Sequence, residues 1–351
     1  MNKDNLYYEY IMGDSDKSIK YLFHKEWIAF LDSIHLPYSK ALQLRIGSHL
    51  RPLLVYWGYF LGSDIEKIQN LNQITDLALC VEMIHKISII VDDLIDQDIR
   101  RHNASTFHIQ YSKEETIIFA VYMIGTAFEK LNCTAEKFPQ LSEYFMKLYS
   151  QTLRIMAEGC LEELRLDTKS RFDLTKIHSV ISMETSTLIK NSLLFGYTSS
   201  KYYSNTGILI IEDIGDKVGY LFQVMNDMEP FTSANNLTAH KGSLNLDFER
   251  SRKNMVLPYI YGSCSIKEKE RLLSPSDFHT AYILELYSKY KIEKIMMDDL
   301  VRIENQIAKR FIDLEKQLTN QNCLNDFICF YNNIIKIGKA RLHQNSQEPI
   351  D

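Results

Sequence analysis

Three stretches, "DLALCVEMIHKISIIVDDL", "YFMKLYSQTLRIMAEGCLEEL" and "VRIENQIAKRFIDLEKQL", space their apolar residues at a period near 3.6 and show little strict alternation. That period lays one apolar face along an α-helix and cannot supply the alternating faces of a strand. Breakers fall between such stretches: Pro52, Pro139, "GYTSSKYYSNTG", "TSANNLTAHKGS", "GSCSIKEKE" and "LSPSD". With 13 glycines and 7 prolines in 351 residues, little in the chain interrupts a helix. The pattern predicts one all-α domain, a bundle of about a dozen helices, with no dividing linker and no fixed-period repeat. Residues 1–38 read as an N-terminal helical extension, 39–342 as the main helical domain and 343–351 as a polar tail.

Charge and composition remove several partners. The formal net charge is −5 and lysines and arginines form no long block, so nucleic acid lacks the basic footprint it needs. No run of about 18 uncharged apolar residues predicts a membrane span. The start, "MNKDNLYYEYIMGDSD", lacks the apolar core of a signal peptide. The six cysteines show no zinc spacing and lie mostly in apolar helical patterns. They read as reduced core residues of a cytoplasmic protein.

The stretch "SIIVDDLIDQDIRR" (88–101) holds the chemistry. Asp92 and Asp96 are four residues apart and share a helix face, with Asp93 beside them. A bare DxxxD is often only a solvated helix end, but these acids follow an almost wholly apolar run. Three carboxylates there suit Mg²⁺, which takes few protein oxygens and completes its shell with water and phosphate. Arg100 and Arg101 suit phosphate oxygens. A second cluster lies in "GDKVGYLFQVMNDMEPF" (215–231), where Gly215 and Gly219 allow a close helix approach. Gln223, Asn226, Asp227 and Glu229 follow, and Pro230 is expected to end the helix. If the two segments oppose each other, their polar ends enclose a cavity and hold metal from both sides.

These motifs together resemble the trans-isoprenyl diphosphate synthase (polyprenyl synthetase) family. "DDLIDQDIRR" is similar to its first aspartate-rich motif, preceded by "EMIH"; "GSHLRP" (47–52) resembles GKRxRP, "METSTLI" (183–189) KTxxL, "FQVMND" FQxxDD, and "KNMVLP" (253–258) the following lysine segment. The matches run in family order over about residues 40–260. The resemblance implies a single-domain isoprenoid-synthase-type bundle around a central cavity, usually homodimeric. It implies Mg²⁺ on Asp92, Asp93 and Asp96, and from the second motif on Asn226, Asp227 and Glu229. Arg100 would contact the allylic prenyl diphosphate. Arg51, His85 and Arg101 would serve isopentenyl diphosphate. Thr185, Gln223, Lys241 and Lys253 would line the remaining substrate site.

The departures are as informative. Ser48 stands for the family's lysine and His49 for its middle arginine. Glu184 reverses the charge of the lysine before Thr185, Asn226 removes an acid, and Cys160 stands where glutamine is common. These changes weaken the isopentenyl diphosphate half while leaving the first metal motif. Four readings stay open: transfer of a prenyl group to another acceptor, as in the branch that prenylates a pheromone tryptophan; an ordinary chain-elongating synthase; a terpene synthase; and a non-catalytic subunit.

Overall fold

The computed structural model describes residues 6–13, 18–63, 71–101, 104–232, 253–274, 280–318 and 321–343. Among them are sixteen α-helical segments, several of only one turn. In chain order these are α1 (Leu6–Met12), α2 (Ile19–Ser33), α3 (Leu42–Arg45), α4 (Leu50–Leu61), α5 (Leu71–Asp96), α6 (Phe107–Gln110), α7 (Lys113–Ala135), α8 (Ser142–Leu164) and α9 (Leu174–Ile181). A π-turn over Ser182–Ser186 leads straight into α10 (Thr187–Ser199). There follow α11 (Asn205–Thr232), α12 (Val256–Ser263), α13 (Ile266–Leu273), α14 (Thr280–Lys289), α15 (Ile292–Glu315) and α16 (Gln321–His343). None of these helices is long and apolar enough to cross a membrane.

Local sequence explains several helix starts. Ser18, Ser112 and Asp173 each accept a backbone N–H of the first turn of the helix they precede. Ser265 and Glu268 form a reciprocal capping box. Helix α5 stops at Gln97, whose φ of 55° turns the chain out of the helix. The chain then forms a two-residue strand β1 (Arg100–Arg101), antiparallel to β2 (Ala104–Ser105).

Pro230 does not end its helix: α11 runs through it to Thr232. A proline in the last turn removes only one intrahelical bond, the one its missing N–H would give the Asn226 carbonyl. The cysteines also divide. Cys80, Cys264 and Cys323 are buried, Cys160 and Cys329 half-buried, and Cys133 exposed, all as free thiols.

Helices α4, α5, α10 and α11 form the centre. Glycines set their spacing. A Cβ on Gly58 would sit 2.1 Å from the Leu193 carbonyl oxygen, and one on Gly196 would sit 1.8 Å from that of Val55, so α4 and α10 cross backbone to backbone. Gly215 and Gly219 act as their spacing predicts. Cβ atoms there would meet Lys190 and Ser186 Cα at 2.5 and 2.4 Å. This draws α11 onto the π-turn and α10. The end of the chain closes the bundle: α1 packs on α16, where the Tyr8 N–H donates to Asp326 Oδ2 at 3.1 Å.

Candidate active site

The neighbouring acids of the first motif part company. Asp93 is fully buried; its Oδ1 accepts from Arg101 Nε at 2.7 Å and its Oδ2 from Gln43 Nε2 at 2.9 Å. Arg101 Nη2 lies 2.6 Å from the same Oδ1, so two guanidinium nitrogens converge on one carboxylate oxygen. Asp92 is 44% exposed and reaches Arg101 only at 3.4 Å. Successive helix residues lie about 100° apart, so one aspartate points into the frame and the other toward open space. Asp96 is half-buried one turn beyond Asp92 on the same face. The two arginines separate by strand alternation. Arg101 folds back onto α5, while Arg100 is exposed.

Arg51 and His85 meet as the sequence suggests: Arg51 Nη1 donates to His85 Nε2 at 3.3 Å, and its guanidinium lies over the Phe222 ring, 5.4 Å from the centroid. Burial, followed by the charges of Arg51, Lys86 and Arg101, holds the His85 imidazole well below its ordinary pKa. Burial likewise brings Arg51 down to about 10, against the attraction of Glu82. An apolar cleft adjoins this pair, lined by Leu50, Leu54, Ile189, Leu193, Phe222 and Phe330 among others.

Beneath Arg51 lies a buried polar chain that the sequence reading did not assign. His49, with a left-handed φ of 51°, opens α4; its Nδ1 donates to the buried Glu82 at 2.9 Å and its Nε2 lies 3.0 Å from His24 Nδ1. Lys86, also buried, lies 3.7 Å from Glu82 and donates to the Gln43 carbonyl at 3.2 Å and that of Ile46. Glu82 and Lys86, four apart in an apolar run, were a visible signal. Gln43 offered none. Ser48 itself is exposed.

The second motif joins the π-turn. Thr185 Oγ1 donates to Gln223 Oε1 at 3.0 Å, and Gln223 Nε2 donates to Asp227 Oδ1 at 2.7 Å. Asp227 Oδ2 accepts the Met255 N–H at 2.7 Å, and Asn254 Nδ2 donates to its carbonyl at 3.3 Å. Asp227 is thus buried as a post for the chain entering α12, while Asn226 and Glu229 are half-buried. Lys253 lies between two acids: its Nζ is 3.3 Å from Glu163 Oε1 and bonded to Glu184 Oε2. Asp92 lies near enough to act electrostatically on Lys253, Glu184 and Cys160. Burial, then the neighbouring acids, push the Cys160 thiol up to about 12. Glu163 was not foreseen; its partner is 90 residues away in sequence. Lys241 lies outside the described residues.

The six suggested metal ligands therefore divide. The middle acids, Asp93 and Asp227, have both oxygens bonded to the frame. Asp92 and Asp96 share the open face of α5, with Asn226 and Glu229 near the end of α11. Two carboxylates one helical turn apart, partly exposed beside an exposed arginine, fit a hard divalent cation carrying water or phosphate. A cavity of about 490 Å³ lies between α15 and α16, lined by Glu304, Tyr331, Lys336 and Lys339 among others, and includes none of these residues. The site is located by its carboxylates, not by volume.

Residues 35–274 match the model of a family described as polyprenyl synthetase. Curated relatives include a geranylgeranyl diphosphate synthase of Sulfolobus acidocaldarius, 22% identical over 79% of this chain and 82% of that protein. A farnesyl diphosphate synthase of Buchnera aphidicola is 24% identical over 69% of this chain and 86% of the relative. Among solved structures, a Caulobacter crescentus polyprenyl synthase complexed with calcium and isoprenyl diphosphate aligns with a TM-score of 0.71 at 18% identity, covering 89% of this chain and 94% of that one. A T. brucei farnesyl diphosphate synthase complexed with a bisphosphonate reaches 0.74 at 13% identity, over 91% and 98%. These structures share the all-α isoprenoid-synthase fold.

Proposed function

The chain belongs to the polyprenyl synthetase family, and on that premise we propose that it uses Mg²⁺ to ionise an allylic prenyl diphosphate and passes the prenyl group to an acceptor other than isopentenyl diphosphate. As a member it is a transferase of prenyl groups, of the class I isoprenoid synthase type. Asp92 and Asp96 would hold the metal in this reading, with Asn226 and Glu229 as the second motif's ligands. Mg²⁺ there supplies positive charge to the leaving diphosphate. Arg100 binds the same diphosphate. Asp93 holds Arg101, and Asp227 holds the start of α12, so that both cavity walls stay in register. Apolar side chains beside Arg51, Phe222 among them, would border the carbocation on that side.

The observation that carries the acceptor half is the state of its cations. Arg101 is neutralised by Asp93, His85 is held neutral, and Ser48 brings no charge. Among the described residues of that half, Arg51 is left as the one cation without a carboxylate within ion-pair distance. That is a poor receptor for a second diphosphate and an adequate border for a neutral nucleophile such as a peptide tryptophan. Ordinary chain elongation is the second reading, favoured by the meeting of Arg51 and His85.

Labelled geranyl, farnesyl and geranylgeranyl diphosphates, incubated with and without isopentenyl diphosphate, test this. The expected result is Mg²⁺-dependent loss of diphosphate with slow or no elongation. Rapid elongation identifies a plain synthase.

The reading includes a homodimer. Its support is a contiguous apolar face on α7, where Ile117, Ile118, Val121 and Tyr122 are 53%, 68%, 61% and 42% exposed. It also puts the enzyme in the cytoplasm, where six free thiols stay reduced.

A further inference from the structure

Glu163 and Glu184 hold Lys253 in different ways. Glu163 Oε1 accepts both the Lys253 backbone N–H, at 2.9 Å, and the ammonium, at 3.3 Å. It anchors the main chain and remains in place whatever the side chain does. Glu184 bonds only the ammonium. Its other oxygen, Oε1, is buried with no hydrogen-bond partner among the described residues. Gly159 makes the room: a Cβ there would come within 2.7 Å of Glu184 Cγ. The π-turn aims the side chain at Lys253, a placement often found at functional sites.

With Glu184 ionised, two carboxylates and one ammonium leave this group with a net charge of −1, and Asp92 is near enough to add its own charge. A diphosphate bound at Asp92 and Asp96 therefore meets a lysine that is already engaged. To use it, the ligand must replace Glu184 at the ammonium. Glu184 then becomes a buried carboxylate without its counter-charge, a state relieved by taking a proton from solvent.

We propose that Glu184 is a specificity-determining residue that competes with substrate diphosphate for Lys253, so that binding a diphosphate is coupled to uptake of one proton by Glu184. This rests on the reading that the cavity takes a prenyl diphosphate. The charged groups acting on Glu184 are Lys253, Glu163 from α8 and Asp92 from α5, with the Cys160 thiol beside it; on the α11 side its neighbour Thr185 donates to the neutral Gln223. Burial has already raised the Glu184 carboxyl to about 7, against the pull of Lys253. Protonation frees the lysine, so diphosphate affinity falls as pH rises through that region.

Calorimetric titration of the full chain with inorganic pyrophosphate and Mg²⁺ tests this, in two buffers of different ionisation enthalpy at pH 8. The reference is Glu184→Gln, which cancels the ligand's own proton release. Wild type is expected to take up roughly one more proton per pyrophosphate than the variant. The variant should bind about tenfold tighter at pH 8 and lose the wild type's pH dependence. Lys253→Met gives a second check, since the extra proton uptake must vanish with the lysine. Binding with equal proton uptake in wild type and either variant overturns the competition and leaves the diphosphate reading intact. Absence of pyrophosphate binding by wild type at both pH 6 and pH 8 overturns both.

Discussion

Arg101 grips Asp93 with Nε at 2.7 Å and Nη2 at 2.6 Å, while the adjacent Asp92 is met only at 3.4 Å. The two aspartates thus do different work: one fixes the end of α5 to the strand that follows, the other stays partly open to solvent.

Replacing Asp93 should cost stability. Asp93→Ala strands a largely buried guanidinium and the Gln43 amide, a loss of about 3 kcal/mol. Chemical denaturation should show it as a shifted midpoint. A change under 1 kcal/mol would mean that the pair is not structural.

Asp92→Ala should do the reverse. Removing a half-exposed acid costs within about 0.5 kcal/mol of stability. Turnover of an allylic diphosphate should fall at least ~100-fold, the scale seen when one group stabilising transition-state charge is lost. Asp96→Ala should match it. Near wild-type turnover in either variant would remove that residue from the metal site.

Ser48→Lys should restore affinity for isopentenyl diphosphate. Position 48 is exposed three residues before Arg51, so a lysine there has room to reach a ligand. A charge-assisted bond gained in this way is worth roughly 1.5–3 kcal/mol. Titration of isopentenyl diphosphate into both proteins measures it. Equal affinity would show that the acceptor half is closed to a diphosphate for some other reason.

Acidification should destabilise the fold through His85. Its pKa is lowered in the folded state, so below about pH 6.5 the unfolded chain binds a proton that the folded chain refuses. The contribution is full above that pH and is lost as pH falls toward the lower folded value. His24, His108 and His178 shift the same way. His85→Gln should therefore flatten the acid limb of the stability profile without abolishing it. An unchanged slope would mean that His85 is charged in the fold.

Charges placed on the exposed face of α7 should prevent the proposed dimer from forming. Ile118→Glu with Val121→Glu introduces two acids at the most open apolar positions of that face. Light scattering should then report a monomer for the variant and a dimer for the wild type. A wild-type monomer at micromolar concentration would refute the assembly.

Helix class, the position of the acids and the order of the family motifs were all readable in the sequence. Each depends on periods and spacings within a few turns. Gly215 and Gly219 were legible for the same reason, since four-residue spacing puts both on one face. The end of α11 was misjudged at Pro230 because a single missing N–H near a terminus is a small penalty, outweighed by packing.

Local pattern could not say which acids are tied into the frame and which stay open. Asp92 and Asp93 are identical in kind and adjacent in sequence. Only the return of Arg101 on β1 and the approach of Gln43 from α3 separate them. Likewise, in sequence Glu184 is a charge reversal at a substrate lysine's place, whereas the fold makes it a clamp on Lys253, closed from the far side by Glu163 on α8. Periodicity sets the face a residue occupies on its own helix. Charge pairing depends on distances between helices, and those exist only once the bundle has packed.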